Sequence, residues 1–246
     1  LLKSETLKIE KKYDELNDVY DAMLKNIHTN SLGLRGLMEQ NLRSQDFHHA
    51  LIYGEKLFNL NPRIDKLYDT LENIVGKTNN WHKLIQINDQ ALKKRIIDKK
   101  KYLQNKSIAL YEIAKIKQHS SEYEAISLLE QALKLRDFFT PYVILYVNLL
   151  IEDNKLNKAK KVLNKAWNTF PHPDLKKEII SLSKAMKVSF YDMAKFVTFQ
   201  SSEKQESKIL LTESLIESSQ WKEARNQLSP LLEHKPSKEI CLLMAA

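Results

Sequence analysis

Apolar and small residues recur along this chain at steps of three and four, the spacing that places them on one face of a helix. In LNKAKKVLNKAWNTFP, Ala159, Leu163 and Ala166 share such a face, and two of the three are small enough to let a second helix come close. Pro171 stops that helix, because it has no N–H to donate and its ring clashes with the preceding turn. DELNDVYDAML is amphipathic, Asp98 to Lys117 predicts one long helix, and PYVILYVNLLIE predicts a mostly buried one opening at Thr140-Pro141. LKKEIISLSKAM and SFYDMAKFVTF predict a further pair, and EICLLMAA the start of another helix. Between them KTNN (Lys77 to Asn80), QHSSE and the stiff elbow Pro171-His172-Pro173 read as turns, with Ser31 and Asp174 as helix N-caps. Gly33 and Gly36 each cost about 1 kcal/mol relative to Ala inside a helix, so a neighbouring helix is expected to pass close to them.

The pattern repeats. From Ala125 to Ala159 is 34 residues, and the same step leads from Phe47 to Trp81, from Ala50 to Leu84 and from Leu57 to Ala91. Trp221, Ala224, Leu228, Leu231 and Pro236 write it once more, and Tyr13 stands one period before Phe47. A period of 34 with a large residue, then a small one, then a terminal Pro resembles the tetratricopeptide (TPR) signature. The first helices are degenerate: Leu37, Leu71 and Leu211 hold the usual Leu position, but Met38, Glu72 and Thr212 stand where that family prefers Gly.

The resemblance implies an all-α, TPR-type α-solenoid of antiparallel helix pairs forming a right-handed superhelix. The units fall at 31–64, 65–97, 98–137, 138–172 and 203–237, with a partial repeat at 1–30, a degenerate pair at 173–202 and a truncated helix starting at 238–246. The third whole unit has a lengthened first helix; its seven extra residues make two helical turns and keep the buried face in register. The chain starts and ends in mid-pattern, which reads as a fragment or mature domain. Exposed apolar surface at the incomplete ends predicts self-association.

Composition narrows the class. With 246 residues the chain can bury a sizeable core, while four Gly and six Pro are too few for a turn-rich β protein. No apolar run approaches the roughly 18 residues that span a membrane. The single cysteine, Cys241, excludes an internal disulfide. The formal charge of +8 is mainly Lys, read as solvated outer helix faces, with an acidic partner or an anionic membrane surface as the alternative. Nucleic acid is not expected, since no recognition helix, zinc spacing or aromatic-basic motif is present.

Chemistry is sparse. The seven His are scattered, and adjacent His48 and His49 point to different helix faces. No Cys-His pair has zinc spacing, and no phosphate loop, G-x-S-x-G or His-Glu-x-x-His occurs. The expectation is a non-catalytic protein without metal or cofactor. His172, in its elbow, is the best-placed candidate for contact with haem, against the simpler reading of a structural corner. Cys241 precedes Leu, so the short Cys-Pro haem motif is absent. Trp81, Trp167 and Trp221 read as packing between helices.

Function then lies in a surface. Outward positions of the first helices are Arg35, Glu39 and Arg43; Lys66, Asp69, Asn73 and Lys77; Asn148 and Glu152; and Glu213 and Glu217. They are the candidate partner-binding residues of a concave face that takes proteins or peptides. Asn73 and Asn148 share one register, where an amide can bond both the C=O and N–H of an extended peptide. Arg35, Arg43 and Lys77 suit a carboxylate.

Three segments, LGLRGLMEQNLRSQDFHHAL, KAKKVLNKAWNTFPHPDL and WKEARNQLSPLLEHKPSKEICLLMAA, in this order and spacing resemble the C-terminal TPR region of HemY-type membrane proteins of alphaproteobacteria. The resemblance covers nearly the whole chain and loosens between Lys184 and Ser202. It implies a scaffold on the cytoplasmic side of the inner membrane, tethered by N-terminal transmembrane helices outside this stretch and linked to enzymes of late protohaem synthesis. A general TPR adaptor or assembly factor for envelope proteins, with no haem link, is the alternative.

Overall fold

Steps of three and four become fifteen α-helices and no strand among the described residues, 2–232 and 238–245 of a computed structural model. They come in pairs: α1 (Leu2–Ile9) with α2 (Tyr13–Leu24), α3 (Asn30–Arg43) with α4 (Phe47–Leu60), and α5 (Leu67–Thr78) with α6 (Trp81–Lys93). Then come α7 (Lys99–Lys117), α8 (Glu122–Leu135), and the pair α9 (Thr140–Glu152) with α10 (Leu156–Thr169). The chain continues through α11 (Lys176–Ala185), α12 (Phe190–Thr198), α13 (Gln205–Glu217) and α14 (Trp221–Leu232) to α15 (Lys238–Ala245). The chain is an all-α, TPR-type α-solenoid. Two compact units divide it, Leu1–Ile113 and Ala114–Ala246, and the division falls within α7.

The small-residue spacing is what each second helix buries. Ala50 and Leu57 in α4, Ala91 in α6, Ala125, Leu129 and Ala132 in α8, and Ala159 and Leu163 in α10 are all fully buried. Each such Leu contributes about 1.5–3 kcal/mol by leaving water. In the first unit Leu34, Met38, Leu71, Ile74 and Leu84 close one core around them, and Leu7, Leu16, Tyr20 and Leu37 form a smaller one between α1, α2 and α3. The two glycines of α3 serve that smaller core. A Cβ on Gly36 would lie 2.3 Å from the Tyr20 ring, and one on Gly33 2.8 Å from the Tyr20 carbonyl. Close approach is therefore why α3 tolerates both.

The turn inside a pair has a recurring backbone signature. Lys11, Gln45, Asn79, Asn154, Lys187 and Ser219 all have positive φ, and each sits just after a first helix, at 34-residue steps from Lys11 to Gln45 to Asn79. One left-handed residue there turns the chain back along its own helix.

Several expected details differ. Helix α3 begins at Asn30 behind Thr29, so Ser31 lies inside its first turn rather than capping it. Asp174 caps nothing: Pro173–Leu175 is a 3-10 turn, and the Nδ1 of His172 accepts the Asp174 N–H at 3.2 Å. Helix α5 runs on to Thr78, leaving only Asn79 and Asn80 of KTNN as turn. Trp167 is buried and its indole N–H donates to Ser207 Oγ at 2.9 Å, but Trp221 is 54% exposed and is not a packing residue. Pro236 and His234 lie outside the described residues.

Candidate functional site

In the first unit, the first helices α1, α3 and α5 present the polar face expected to bind partners. Arg35 and Glu39 are one helical turn apart, and the guanidinium Nε donates to the carboxylate at 2.9 Å. An exposed i,i+4 pair of this kind contributes only about 0.3–0.5 kcal/mol, so a ligand carboxylate can compete for the arginine. Two clefts flank the pair and share both residues. One, of about 250 Å³, lies between α1 and α3 and is lined by Lys8, Tyr20, Leu32 and Gly36. The other, of about 470 Å³, lies between α3 and α5 and is lined by Met38, Ile64, Lys66 and Thr70. Arg43, one end of α3 further on, lines a third cleft of about 480 Å³ with Tyr13, Asn17 and Gln40.

On α5 the sequence-named residues divide. Asn73 is exposed on its outer face. Lys77 is exposed too, but its ammonium stands 4.4 Å from the centre of the Phe47 ring. Lys66 precedes the helix in a left-handed conformation. Asp69 accepts from Lys101 Nζ at 2.9 Å, and Glu72 stands 3.1 Å from the same ammonium. Those bonds, that of Asp69 foremost, hold the Lys101 pKa above the ordinary lysine range despite partial burial.

Behind them lies a network that residue patterning did not identify. Tyr68 donates to Asn88 at 2.9 Å, and Asn105 donates to both the Tyr68 hydroxyl and Glu72, at 2.8 and 2.7 Å. Burial pushes the Tyr68 phenol up to about 12. The network ties α5, α6 and α7 together through polar groups that would be costly left alone.

In the second unit the named residues are less free. Asn148 is half-buried, and its amide helps hold the carboxylate of Glu178 in α11. Glu213 is half-buried and paired with Lys176 at 2.5 Å. Glu152 and Glu217 are exposed. Beside them, Tyr146 donates to Glu130 at 2.8 Å, and Lys158 bonds the same carboxylate. The Lys158 bond holds Glu130 below the usual carboxylate range, and burial raises the Tyr146 phenol to about 12.

Nothing among the described residues gathers three or more His, Cys, Asp or Glu where a metal could sit. No helix among them is long and apolar enough to cross a membrane. His172 spends its Nδ1 on the backbone of its own elbow.

Comparison with known proteins gives the fold alone. No family profile matches the chain, and no curated protein matches it. A solved structure of Naa15/Naa10 bound to HypK-THB superposes with a TM-score of 0.58 at 16% identity over 94% of this chain and 35% of that one. This chain thus spans about a third of the length of that protein. A tetratricopeptide repeat protein from Parabacteroides merdae aligns over 99% of this chain and 95% of its own at 12% identity, with a TM-score of 0.37. The assembly chaperone of RpL4, Acl4, gives 0.39 at 12% identity over 91% and 97%.

Proposed function

We propose that this chain is a non-catalytic scaffold that binds partner proteins or peptides on the outer face of its first helices, centred on α3. The observation that carries the reading is the pair of clefts that share Arg35 and Glu39. A carboxylate captured by Arg35 would leave the residues on either side of it free to enter one cleft each. The neighbouring Arg43 adds charge of the same sign next to a third cleft.

The finer reading rests on the sequence resemblance to HemY-type proteins of alphaproteobacteria. It makes the scaffold one of late protohaem synthesis, held at the inner membrane by an anchor outside this sequence, with the repeats on the cytoplasmic side. Its partners are then enzymes of that pathway.

The test is a pull-down from native membranes with the anchored full-length protein and an Arg35→Glu/Arg43→Glu variant, read by mass spectrometry. Haem-synthesis enzymes captured by the wild type and lost from the variant are the expected result. A variant that keeps every partner sinks the α3 face. Envelope assembly proteins in place of haem enzymes would retain the scaffold and remove the haem link.

A further inference from the structure

A second charged concavity adjoins the α3–α5 cleft, where two inter-helix corners of the first unit meet. The α4–α5 connection brings Pro62, Arg63, Ile64 and Lys66, and the α6–α7 connection brings Arg95 and Ile96, to the walls of one cleft of about 550 Å³. The second connection, with the helix ends on either side of it, is the most basic stretch of the chain, KKRIIDKKK from Lys93 to Lys101. Lys93, Lys94, Arg95, Lys99 and Lys100 are all exposed, whereas Ile96 and Ile97 turn inward and are half-buried. Lys101 is already committed to Asp69 and Glu72. Arg63, Lys66 and Arg95 have no ion pair among the described residues.

Three unpaired cations around a half-apolar cleft call for an anionic partner that also has something to bury. The carboxylates in the same cleft decide among anions. There are three: Asp69 is paired with Lys101, Asp98 accepts the Lys101 backbone N–H at 2.7 Å and keeps its charge, and Asp65 is exposed beside Lys66. A lipid headgroup layer or a nucleic-acid backbone presents acceptors only, and Asp65 would repel it. An extended polypeptide presents carboxylates to Arg63 and Arg95 and backbone N–H groups to Asp65. It can also enter a recess, which a flat bilayer cannot.

We propose that the cleft between the α4–α5 and α6–α7 connections is a second docking site, for an acidic protein segment carrying an apolar residue between its carboxylates. The arginines hold the carboxylates, and the apolar side chain packs on Ile64 and Ile96. The site adjoins the α3–α5 cleft, with which it shares Ile64, Asp65 and Lys66; Arg63 and Arg95 touch neither cleft beside Arg35, so changing these two and leaving the shared residues intact tests this site apart from the α3 face.

The experiment is selection of a displayed library of random short peptides on the wild type and on an Arg63→Glu/Arg95→Glu variant, with circular dichroism to verify that the variant is folded. Arg63→Ala/Arg95→Ala serves in its place if charge reversal disturbs the fold. Anionic phospholipid vesicles and a single-stranded oligonucleotide are tested in parallel. The expected result is enrichment of acidic peptides with a Leu, Ile or Phe among the acids, weakened about tenfold or more on the variant and by added salt. Selection that shows no acidic preference, or peptides that bind the variant equally, overturns the proposal. Vesicle or oligonucleotide binding that is lost in the variant, with no peptide selected, overturns it in favour of that polyanion.

Discussion

Glu178 sits in the first turn of α11 at 3% exposure, and one of its carboxylate oxygens has no hydrogen-bond partner. Burial raises its pKa above the usual carboxylate range, while its own backbone N–H and the Asn148 amide pull the other way. A raised folded pKa means the folded state holds the proton more tightly than the unfolded one. Its contribution is therefore complete below the unfolded value of about 4.3 and is lost as pH rises through the raised folded value. Glu130 has the opposite sign: its lowered pKa contributes above about pH 4.3 and is lost as pH falls through the folded value, weakly because its side chain is 36% exposed. Glu178→Gln keeps the shape and removes the charge, so it is expected to stabilise the chain at neutral pH by about 1 kcal/mol. At about pH 3, where the wild-type carboxyl is already protonated, the two proteins should melt alike. Urea titrations at both pH values decide it, and an equal difference at each would mean that ionisation of Glu178 costs nothing.

The helical hairpin is the element this chain repeats, and its turn stores a correctable strain. Gln45 holds a φ of 62° after α3, in a region that costs a side-chain-bearing residue about 1 kcal/mol and glycine almost nothing. Gln45→Gly is expected to raise stability by up to about 1 kcal/mol, and Asn79→Gly by less, because Asn tolerates that conformation. A thermal melt of both variants checks the order, and a destabilised Gln45→Gly would show that the side chain holds the turn. This turn was only partly legible. Period and small residues placed Ala50, Leu57, Ala159 and Leu163 correctly, because burial at those positions follows from the spacing on their own helix. The burial of Asn88, Asn105 and Glu178 was not legible, because what covers them comes from other helices and the partners of the two asparagines lie far along the chain. Trp221 failed in the other direction: it holds the repeat's aromatic position in α14, yet half of it faces solvent. Of the α3 face, the outward placement of Arg35 and Glu39 followed from helical spacing. The clefts beside them did not, since Lys8, Ile64 and Thr70 come from separate elements.

At the scale of the molecule, most packing is between helices one or two places apart in the chain: α3 on α4, α4 on α5, α10 on α12, α13 on α15. Such a fold is nearly one-dimensional, and its stability is the sum of units and nearest-neighbour contacts rather than of one shared core. Leu71 tests this. It is fully buried in the core of α4, α5 and α6, and it packs against the glycine face of α4 at Gly54. Leu71→Ala is expected to cost about 2–5 kcal/mol locally. In a one-dimensional fold that loss speeds amide exchange in α4 to α6 by about thirtyfold or more and leaves α10 to α13 unchanged. Hydrogen exchange read by mass spectrometry separates this from the alternative. Equal acceleration along the whole chain would mean that its two units unfold as one, and that binding at the α3 face would then stabilise helices far from it as strongly as those it touches.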